Sequence, residues 1–444
     1  MPCGTSGYRC SMLPENLAKH LFRTGAHLRN PGLYPRYRLL KQSERWPLDR
    51  LLDFQLRACR SLLIFAHRHS PFYRARFRKV GFDPGQMNHL EDLQQIPIIS
   101  KQELLTHHAA VHTRYPFRRT FLSETSGTSG QVLAFRKNEA WDSANRAALM
   151  RAYSWYGLRP WAYNIYFWGY DPAPRQRLRT RLLDRLQNRY RIFSYAEEDW
   201  QQVLLRLPGA VYLHGYSSMI YETAKRAGPQ AESPRLKLVK GTSEQILPAY
   251  RTAVEEAFGQ PLRSEYGAAE AGLIAFECPA GRLHLQSEGV VVEEVGGEIV
   301  VTNLHAYSFP IIRYALGDRI ALDRSGASCP CGMAHPLLKE VIGRAGDTIL
   351  GKGRRYPALV LYNIFKNLFF QTGDAFNYQG IQTEPGLLIL AVEQELTADQ
   401  CRRIRAECAK YFGQDVRLEI RPMESQPDRR EKRRYFVSRV NTRE

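Results

Sequence analysis

The stretch Ser123-Glu124-Thr125-Ser126-Gly127-Thr128-Ser129-Gly130-Gln131 decides how the rest of the chain is interpreted. Apart from Glu124 and Gln131, every residue in it is Ser, Thr or Gly. Glycine permits φ > 0 and close approach to a ligand, and successive backbone N–H groups with hydroxyls form a concave site suited to phosphate. The Gly-Lys-Ser/Thr ending of a Walker loop is absent, because Gln131 follows Gly130. A flexible Ser/Gly linker is the alternative that composition alone leaves open.

Strands and helices alternate on the C-terminal side of this loop. The apolar runs and their flanking turn residues predict helices over 138–156 and 248–258 and strands over 164–168, 210–213 and 236–239. This alternation is typical of α/β layers with parallel strands, in which ligands bind beyond the carboxyl ends of the strands. The Ser/Gly-rich turns fall at those ends, so we expect the functional site there.

The pattern changes twice towards the C-terminus. Residues 290–301 predict a hairpin around Gly296-Gly297, and residues 285–345 are interpreted as an antiparallel β subdomain. The last hundred residues predict a small α+β unit, with helices over 357–369 and 398–412 and strands over 375–381, 387–393 and 415–421. We therefore expect a large N-terminal α/β domain over 1–346 and a small C-terminal domain over 347–444.

Composition restricts the class of protein. The 444 residues are 44% hydrophobic and 24% charged, which is typical of a globular protein with substantial cores. The sequence contains no run of eighteen apolar residues, so no membrane span is predicted. The N-terminus lacks the apolar segment of a secretory signal. Eight cysteines in a chain of this length are too few for a disulfide scaffold, so a reducing cytoplasm is expected.

The formal net charge of +19 is compatible with a nucleic-acid or membrane surface as partner, or with an acidic small substrate. The densest segment, 175–191, contains seven arginines, of which four recur at every fourth position (Arg177, Arg181, Arg185, Arg189). On a helix they form one stripe, and Leu178, Leu182 and Leu186 form an apolar stripe beside it. A solvated helix face and an anionic partner both remain open.

Five stretches together resemble the adenylate-forming enzymes, and within them the phenylacetate–CoA ligases and their capsular-polysaccharide-biosynthesis relatives. The resemblance covers about residues 50–440. The stretches are Thr125-Ser126-Gly127-Thr128-Ser129-Gly130, Thr242-Ser243-Glu244, Tyr266-Gly267-Ala268-Ala269-Glu270, Tyr314-Ala315-Leu316-Gly317-Asp318 and Gly343-Arg344-Ala345-Gly346-Asp347. Their order and spacing, rather than any one of them, carry the resemblance.

The resemblance implies a role for each stretch. The loop Thr125 to Gly130 would hold the ATP phosphates, with Ser243 and Glu244 beside the nucleotide. Tyr266 offers a flat face to adenine, and Gly267 permits close approach. Glu270 is implied as a catalytic carboxylate and Mg²⁺ ligand, since Mg²⁺ prefers oxygen ligands and substrate phosphates. Asp318 would accept hydrogen bonds from the ribose hydroxyls, and Arg344 would support the ribose or a phosphate. Considered singly, these residues also fit a core tyrosine, a surface turn and a hairpin turn.

The C-terminal region resembles the family's mobile lid domain. Asp347 matches the hinge position, and the surrounding glycines allow φ/ψ changes there. The family's catalytic lysine lies near the C-terminus after a glycine, and Lys432 is the candidate in this chain. Glu431 occupies the place of that glycine, and a solvated basic tail is the alternative.

Cysteines flank the predicted hairpin. Cys278, His284, Cys329 and Cys331 provide three thiolates and one imidazole, a donor set suited to a closed, structural zinc site. His335 is a spare ligand. Free thiols in two turns are the alternative, because the Cys-x-Cys spacing is tighter than the usual Cys-x₂-Cys.

The resemblance implies an ATP-dependent carboxylate-activating ligase that forms an acyl- or aryl-adenylate and transfers the acyl group, with CoA as the usual acceptor. An amine or hydroxyl acceptor is the first alternative. A non-catalytic anion- or nucleic-acid-binding protein is the second, although no nucleic-acid motif is present and no nucleic acid is expected. Tyr216, Ser217 and Met219 are predicted to line the acyl pocket, and an aromatic acid is the expected substrate class. A homodimer is compatible with the sequence.

Overall fold

The computed structural model describes residues 13–125, 133–168, 174–192, 197–344, 348–423 and 435–440. The α-helices of the described residues are α1 (Glu15–Arg29), α2 (Leu33–Ser43), α3 (Leu48–His69), α4 (Pro71–Val80), α5 (Lys101–Thr106), α6 (His108–Val111), α7 (Glu139–Ser154), α8 (Pro174–Leu186), α9 (Glu197–Leu204), α10 (Ser217–Ala227), α11 (Pro248–Phe258), α12 (Leu359–Thr372) and α13 (Ala398–Phe412).

The strands before residue 345 are β1 (Thr120–Glu124), β2 (Ala134–Asn138), β3 (Asn164–Phe167), β4 (Arg189–Ile192), β5 (Tyr212–Tyr216), β6 (Leu238–Thr242), β7 (Leu262–Ala268), β8 (Gly272–Glu277), β9 (Leu283–Leu285), β10 (Val290–Val295), β11 (Glu298–Asn303), β12 (Tyr314–Leu322) and β13 (Leu337–Arg344). Those after it are β14 (Thr348–Leu350), β15 (Arg355–Pro357), β16 (Tyr378–Gln382), β17 (Leu387–Val392), β18 (Arg417–Pro422) and β19 (Phe436–Ser438).

Eleven strands of the described residues form one sheet, in the order β10-β11-β12-β13-β9-β8-β7-β6-β5-β3-β4. Strands β4, β3, β5, β6 and β7 run parallel to one another, which confirms the α/β pattern expected from the alternating helices. Their carboxyl ends share one edge, where the turns after β5, β6 and β7 meet. This edge positions the candidate site.

The segment 285–345 is antiparallel, as predicted. The hairpin of β10 and β11 turns at Gly296 and Gly297, whose φ values of +60° and +81° suit the tight turn that Gly-Gly favours. These strands do not form a separate sheet, however, because β7 pairs antiparallel with β8 and carries them onto the parallel sheet. The expected β subdomain is therefore an extension of the central sheet.

Local capping explains where several helices begin. Ser70 caps α4, its Oγ accepting a hydrogen bond from Tyr73 N (3.4 Å), and Pro71 occupies the first turn. Ser100 and Glu103, which have the Ser-x-x-Glu spacing of a capping box, form one at the start of α5. Asn138 precedes α7 as expected, but its side chain makes no cap hydrogen bond; Asn138 Oδ1 instead accepts from Ser308 N.

The C-terminal segment forms a four-stranded sheet, β18-β17-β16-β19, with α12 and α13. The two helices and three strands predicted there are all present; α13 has the predicted bounds, and the bounds of the others differ by at most three residues. The segment contacts α10 and α11: Tyr221 Oη donates to Glu393 Oε2 (2.7 Å) and Tyr250 Oη donates to Asn377 Oδ1 (3.2 Å). Apolar side chains from both sides of this contact belong to one hydrophobic cluster. No helix in the described ranges has the length and apolar character needed to cross a bilayer.

Candidate active site

The Ser/Gly-rich loop connects two antiparallel strands. Strands β1 and β2 pair up to Glu124 and Ala134, and two further hydrogen bonds close the base of the loop. Thr125 N donates to Leu133 O (3.0 Å), and Leu133 N donates to Thr125 Oγ1 (3.1 Å). Thr125 is therefore part of the loop's support. Ser126, Gly127, Thr128, Ser129 and Gly130 lie outside the described residues.

The turns after β5 and β6 are tied together. Glu244 Oε2 accepts a hydrogen bond from Ser218 N (2.8 Å) at the start of α10, where a carboxylate is favourable. Ser217 Oγ donates to the carbonyl oxygen of Glu244 (3.4 Å). A Cβ on Gly241 would lie 2.5 Å from Ser217 Oγ, so glycine is needed for this close approach. Ser243 has a φ of +68° in the same turn.

Two of the predicted nucleotide residues meet across the sheet. Tyr266, near the end of β7, donates from its hydroxyl to Asp318 Oδ2 on β12 (2.8 Å). Gly267 lies where a Cβ would be 2.7 Å from Gly272 O, so the β7–β8 turn folds tightly around it. The structure thus brings an aromatic face and a carboxylate together, although 52 residues separate them in the sequence.

Glu270 follows in that turn and is 7% exposed. Its Oε1 accepts a hydrogen bond from Tyr314 Oη (3.2 Å), and its backbone oxygen accepts from Asn303 Nδ2 (2.8 Å). Both contacts hold the carboxylate in place from the antiparallel part of the sheet. Glu270 is therefore a positioned, largely buried carboxylate rather than a solvated turn residue.

Lys137 lies near this carboxylate and was not predicted. It lies near the end of β2, with its Nζ 5.2 Å from the centre of the Trp141 ring and 5.7 Å from that of Phe135. Burial lowers the pKa of Lys137 to about 8, against the opposing charges of Asp142 and Glu270. The only sequence signal was a basic residue two positions after the buried Phe135, in the strand that follows the loop.

Aromatic side chains cluster at the carboxyl ends of β3 and β5. Tyr166 stacks on His214 (ring centres 4.5 Å apart) and on Trp168 (5.6 Å), and Trp168 contacts Tyr216 (5.0 Å). Burial, together with Lys240 and two arginines, holds the pKa of His214 well below its usual range, so the imidazole is neutral. These rings form an aromatic wall next to the turn that holds Ser217.

The predicted acyl-pocket residues are buried. Tyr216 joins the aromatic wall, whereas Ser217 and Met219 are completely buried. Met219 belongs to the hydrophobic cluster behind α10, which gives its side chain a packing role whatever else it contacts. Their contact with a substrate stays a prediction.

The three cysteines and the histidine converge. The ligand atoms of Cys278, His284, Cys329 and Cys331 all lie within 4.8 Å of one another. Cys278 follows β8, His284 lies on β9, and the other two precede β13, so the pairing of β9 with β13 brings the two sequence segments together. Cys278 Sγ is 3.6 Å from Cys329 Sγ, and Cys331 Sγ is 3.2 Å from His284 Nε2.

His335, named as a spare ligand, takes a different role. Its backbone oxygen accepts a hydrogen bond from His284 Nδ1 (3.3 Å), and its Nε2 lies 2.9 Å from Glu288 Oε1. Arg151 donates to both carboxylate oxygens of Glu288, at 2.6 and 3.1 Å. Burial would raise the pKa of Glu288, but Arg151 and His335 hold it far below its usual range. The sequence did not indicate this buried network, which is joined to the cysteine cluster through the hydrogen bond between His284 and His335.

Three further predictions fall beyond what the structure describes. Lys432 and Asp347 lie outside the described residues, and for Arg344 only the backbone, at the end of β13 opposite Asp318, is described.

No family model matches the chain. A phenylacetate-coenzyme A ligase of Thermus thermophilus is 24% identical over 340 residues, covering 71% of this chain and 76% of that protein. Protein CapK of Staphylococcus aureus is 23% identical over 181 residues, covering 38% and 39%.

Solved structures extend the similarity to nearly the whole chain. A 2-hydroxyisobutyryl-CoA ligase in the postadenylation state, in complex with 2-HIB-AMP, superposes with a TM-score of 0.71 at 19% identity, over 90% of this chain and 91% of that one. The same ligase with 2-HIB-AMP and CoA in the thioesterification state gives 0.60 at 20% identity, over 90% and 92%. The resemblance predicted from the five motifs is thus confirmed, and the chain has the fold of the adenylate-forming acyl-CoA ligases.

Proposed function

We propose that the chain is an AMP-forming ligase that activates a carboxylic acid with ATP and transfers the acyl group to CoA. The observation that carries the proposal is the convergence of Tyr266, Asp318 and Glu270 at one edge of the sheet, in a fold that matches a CoA ligase over nine-tenths of the chain. The T. thermophilus relative, named as a CoA ligase, supports the same activity.

The first step activates a poor electrophile. A carboxylate oxygen attacks the α-phosphorus of ATP, the bond to the β-phosphate oxygen breaks, and pyrophosphate leaves with the electron pair. Tyr266 would stack on adenine and Asp318 would hold the ribose hydroxyls. Glu270 would hold Mg²⁺, which neutralises phosphate charge when bound. Lys137, a partly buried cation near Glu270, adds positive charge where negative charge develops.

In the second step the CoA sulfur attacks the acyl carbon, and AMP leaves as the thioester forms. The T. thermophilus relative is named as a coenzyme A ligase, and this similarity favours CoA as the acceptor over an amine or hydroxyl. The C-terminal domain, starting at about residue 347, would act as a lid that supplies Lys432 in the first step. Asp347 is the proposed hinge.

Zinc is the metal proposed for the cysteine cluster. Two thiolates on one tetrahedral zinc lie about 3.8 Å apart, close to the observed separation and far longer than a disulfide of about 2.05 Å. His284 Nδ1 donates a hydrogen bond to the His335 carbonyl oxygen, so the lone pair on Nε2 is free to face the cysteines. Four protein ligands leave no open position, so the site would be structural and would fasten β8, β9 and β13 together.

The aromatic wall favours an aromatic acid as the first substrate class to test. The experiment is ATP–pyrophosphate exchange dependent on added carboxylic acid, over a panel of aromatic, fatty and amino acids, followed by CoA-dependent AMP release with the best acid. Exchange with at least one acid and thioester formation are expected. Release of AMP only with an amine or hydroxyl would change the acceptor. Absence of exchange with every acid, combined with salt-sensitive binding of DNA or RNA, would favour a non-catalytic nucleic-acid-binding protein.

A further inference from the structure

Helix α8 exposes a stripe of leucine side chains, whereas the outer face of a solvated helix is usually polar. Leu178, Leu182 and Leu186 follow one another at every fourth residue, so they share a face, and their side chains are 73%, 60% and 43% exposed. Leu183 is 47% exposed beside them. Of the fourteen large hydrophobic side chains exposed among the described residues, four therefore lie on this thirteen-residue helix.

The charges on the same face are all positive. Arg175, Arg179, Arg181 and Arg185 are exposed, and on a helical projection they flank the leucine stripe on both sides. The helix's acidic residue, Asp184, is turned inward and 3% exposed, where it binds Arg191 and Arg189 on β4. The outer face of α8 thus combines leucines with arginines and has no exposed carboxylate.

The neighbouring helix α1 contacts α8. It exposes Leu17 (46%) and Leu28 (67%), together with Arg23. The pair of helices lies at the β4 edge of the central sheet. The candidate active site lies elsewhere, at the carboxyl ends of β5 to β7.

We propose that the outer face of α8 binds the surface of an anionic lipid bilayer. A helix lying in the interface inserts apolar side chains to a depth of about 5–10 Å, while arginines extend to the phosphates at the same level. Leucines flanked by arginines match this arrangement, since the leucines gain apolar surroundings and the arginines gain negative charge. An acidic protein groove would use the arginines but would have to bury all four leucines, and a second copy of the chain would bring like-charged faces together.

Vesicle flotation of the full-length protein tests the proposal. We expect binding to phosphatidylcholine vesicles that contain phosphatidylglycerol, weak binding to vesicles without it, and release at high salt. The double variant Arg181→Gln/Arg185→Gln should lower partitioning about 30-fold, or about fivefold for each arginine. The double variant Leu178→Gln/Leu182→Gln should lower it about tenfold or more, even at low salt.

Matched controls separate a local surface from overall charge. Arg38→Gln/Arg78→Gln removes the same charge from exposed positions on α2 and α4, and Leu205→Gln removes an exposed leucine outside α8. Both controls should bind vesicles like the wild type. Equal loss in the charge control, or no vesicle binding by the wild type at low salt, overturns the proposal. Concentration-dependent dimerisation that the leucine variant abolishes, without vesicle binding, would assign the face to a second copy instead.

Discussion

Replacing Asp318 by alanine should weaken nucleotide binding specifically. In the structure the Asp318 carboxylate is fixed by the Tyr266 hydroxyl at 2.8 Å, so it is positioned before any ligand arrives. If it accepts hydrogen bonds from the ribose hydroxyls, its removal costs about 1.5–3 kcal/mol, the range for hydrogen bonds to charged groups. That corresponds to an increase of about 10- to 150-fold in Kd.

Titration calorimetry with AMP and with ATP measures the effect directly, without requiring the acid substrate. Tyr266→Phe keeps the ring that would stack on adenine and removes only the hydroxyl, so its loss of affinity should be smaller than that of Asp318→Ala. Asp323→Ala is the matched control, because Asp323 directly follows β12, is paired with Arg282 and should not contact the nucleotide. Its Kd should not change.

The interpretation of the result depends on folding. Asp318→Ala loses the Tyr266 hydrogen bond, worth about 1 kcal/mol, so its Tm should fall by only a few degrees. A variant that unfolds like the wild type and binds AMP with unchanged Kd would remove Asp318 from the nucleotide site. An equal loss of affinity in Asp323→Ala would show that removing any negative charge from this region weakens nucleotide binding.

Four further predictions follow from the site. Cys331→Ser should lose bound zinc, measured by elemental analysis, and thermal stability, because metal binding is coupled to folding; an unchanged content of about one zinc per chain would contradict the ligand assignment. Lys432→Ala should slow acyl-adenylate formation by about 10²–10³-fold and leave thioester formation from supplied acyl-adenylate nearly unchanged, whereas equal slowing of both steps would count against it. Lys137→Met should lower exchange by about 10²-fold without lowering Tm, and an unchanged rate would place it outside the site. Glu288→Gln should cost about 3–5 kcal/mol in urea unfolding at neutral pH, since it leaves Arg151 buried without its partner. Because the pKa of Glu288 is depressed, the carboxylate stabilises the fold above its unfolded pKa of about 4.3, and this stabilisation is lost as the pH falls towards the folded pKa. The free energy of unfolding of the variant should therefore decrease less steeply with falling pH than that of the wild type. Identical pH dependences would refute the argument.

The elements with strong local signals were predictable from the sequence. The hairpin at Gly296-Gly297 needs only two residues tolerant of positive φ between alternating apolar positions, and the structure has both. The capping box at Ser100 is similarly local. Helix α13 has the predicted bounds, because its Thr397 cap and its following Gly413 mark both ends.

Strand partners were not predictable in the same way. Alternation of apolar residues identifies a strand but does not name its neighbour. The join between β7 and β8, which merges the predicted β subdomain with the parallel sheet, depends on a turn at Gly272 with a φ of +76°. The same limit applies to His335, which metal-ligand chemistry made a candidate but which strand pairing places behind His284.

The charge of the chain shows most clearly what composition leaves undecided. A count of charged residues gives a net charge of +19 but no positions. The structure divides the arginine-rich stretch 175–191 into two parts. Arg189 and Arg191 lie on β4, over the Tyr166 ring and paired with Asp184, so they stabilise the edge of the sheet. Among the described residues, no carboxylate pairs with the exposed arginines on the outer face of α8, and these arginines accompany exposed leucines. A solvated face explains exposed arginines, but it does not explain why three leucines at every fourth position accompany them. An anionic surface with an apolar layer beneath it explains both, so that face is where the excess charge has a use that the ligase reaction does not supply.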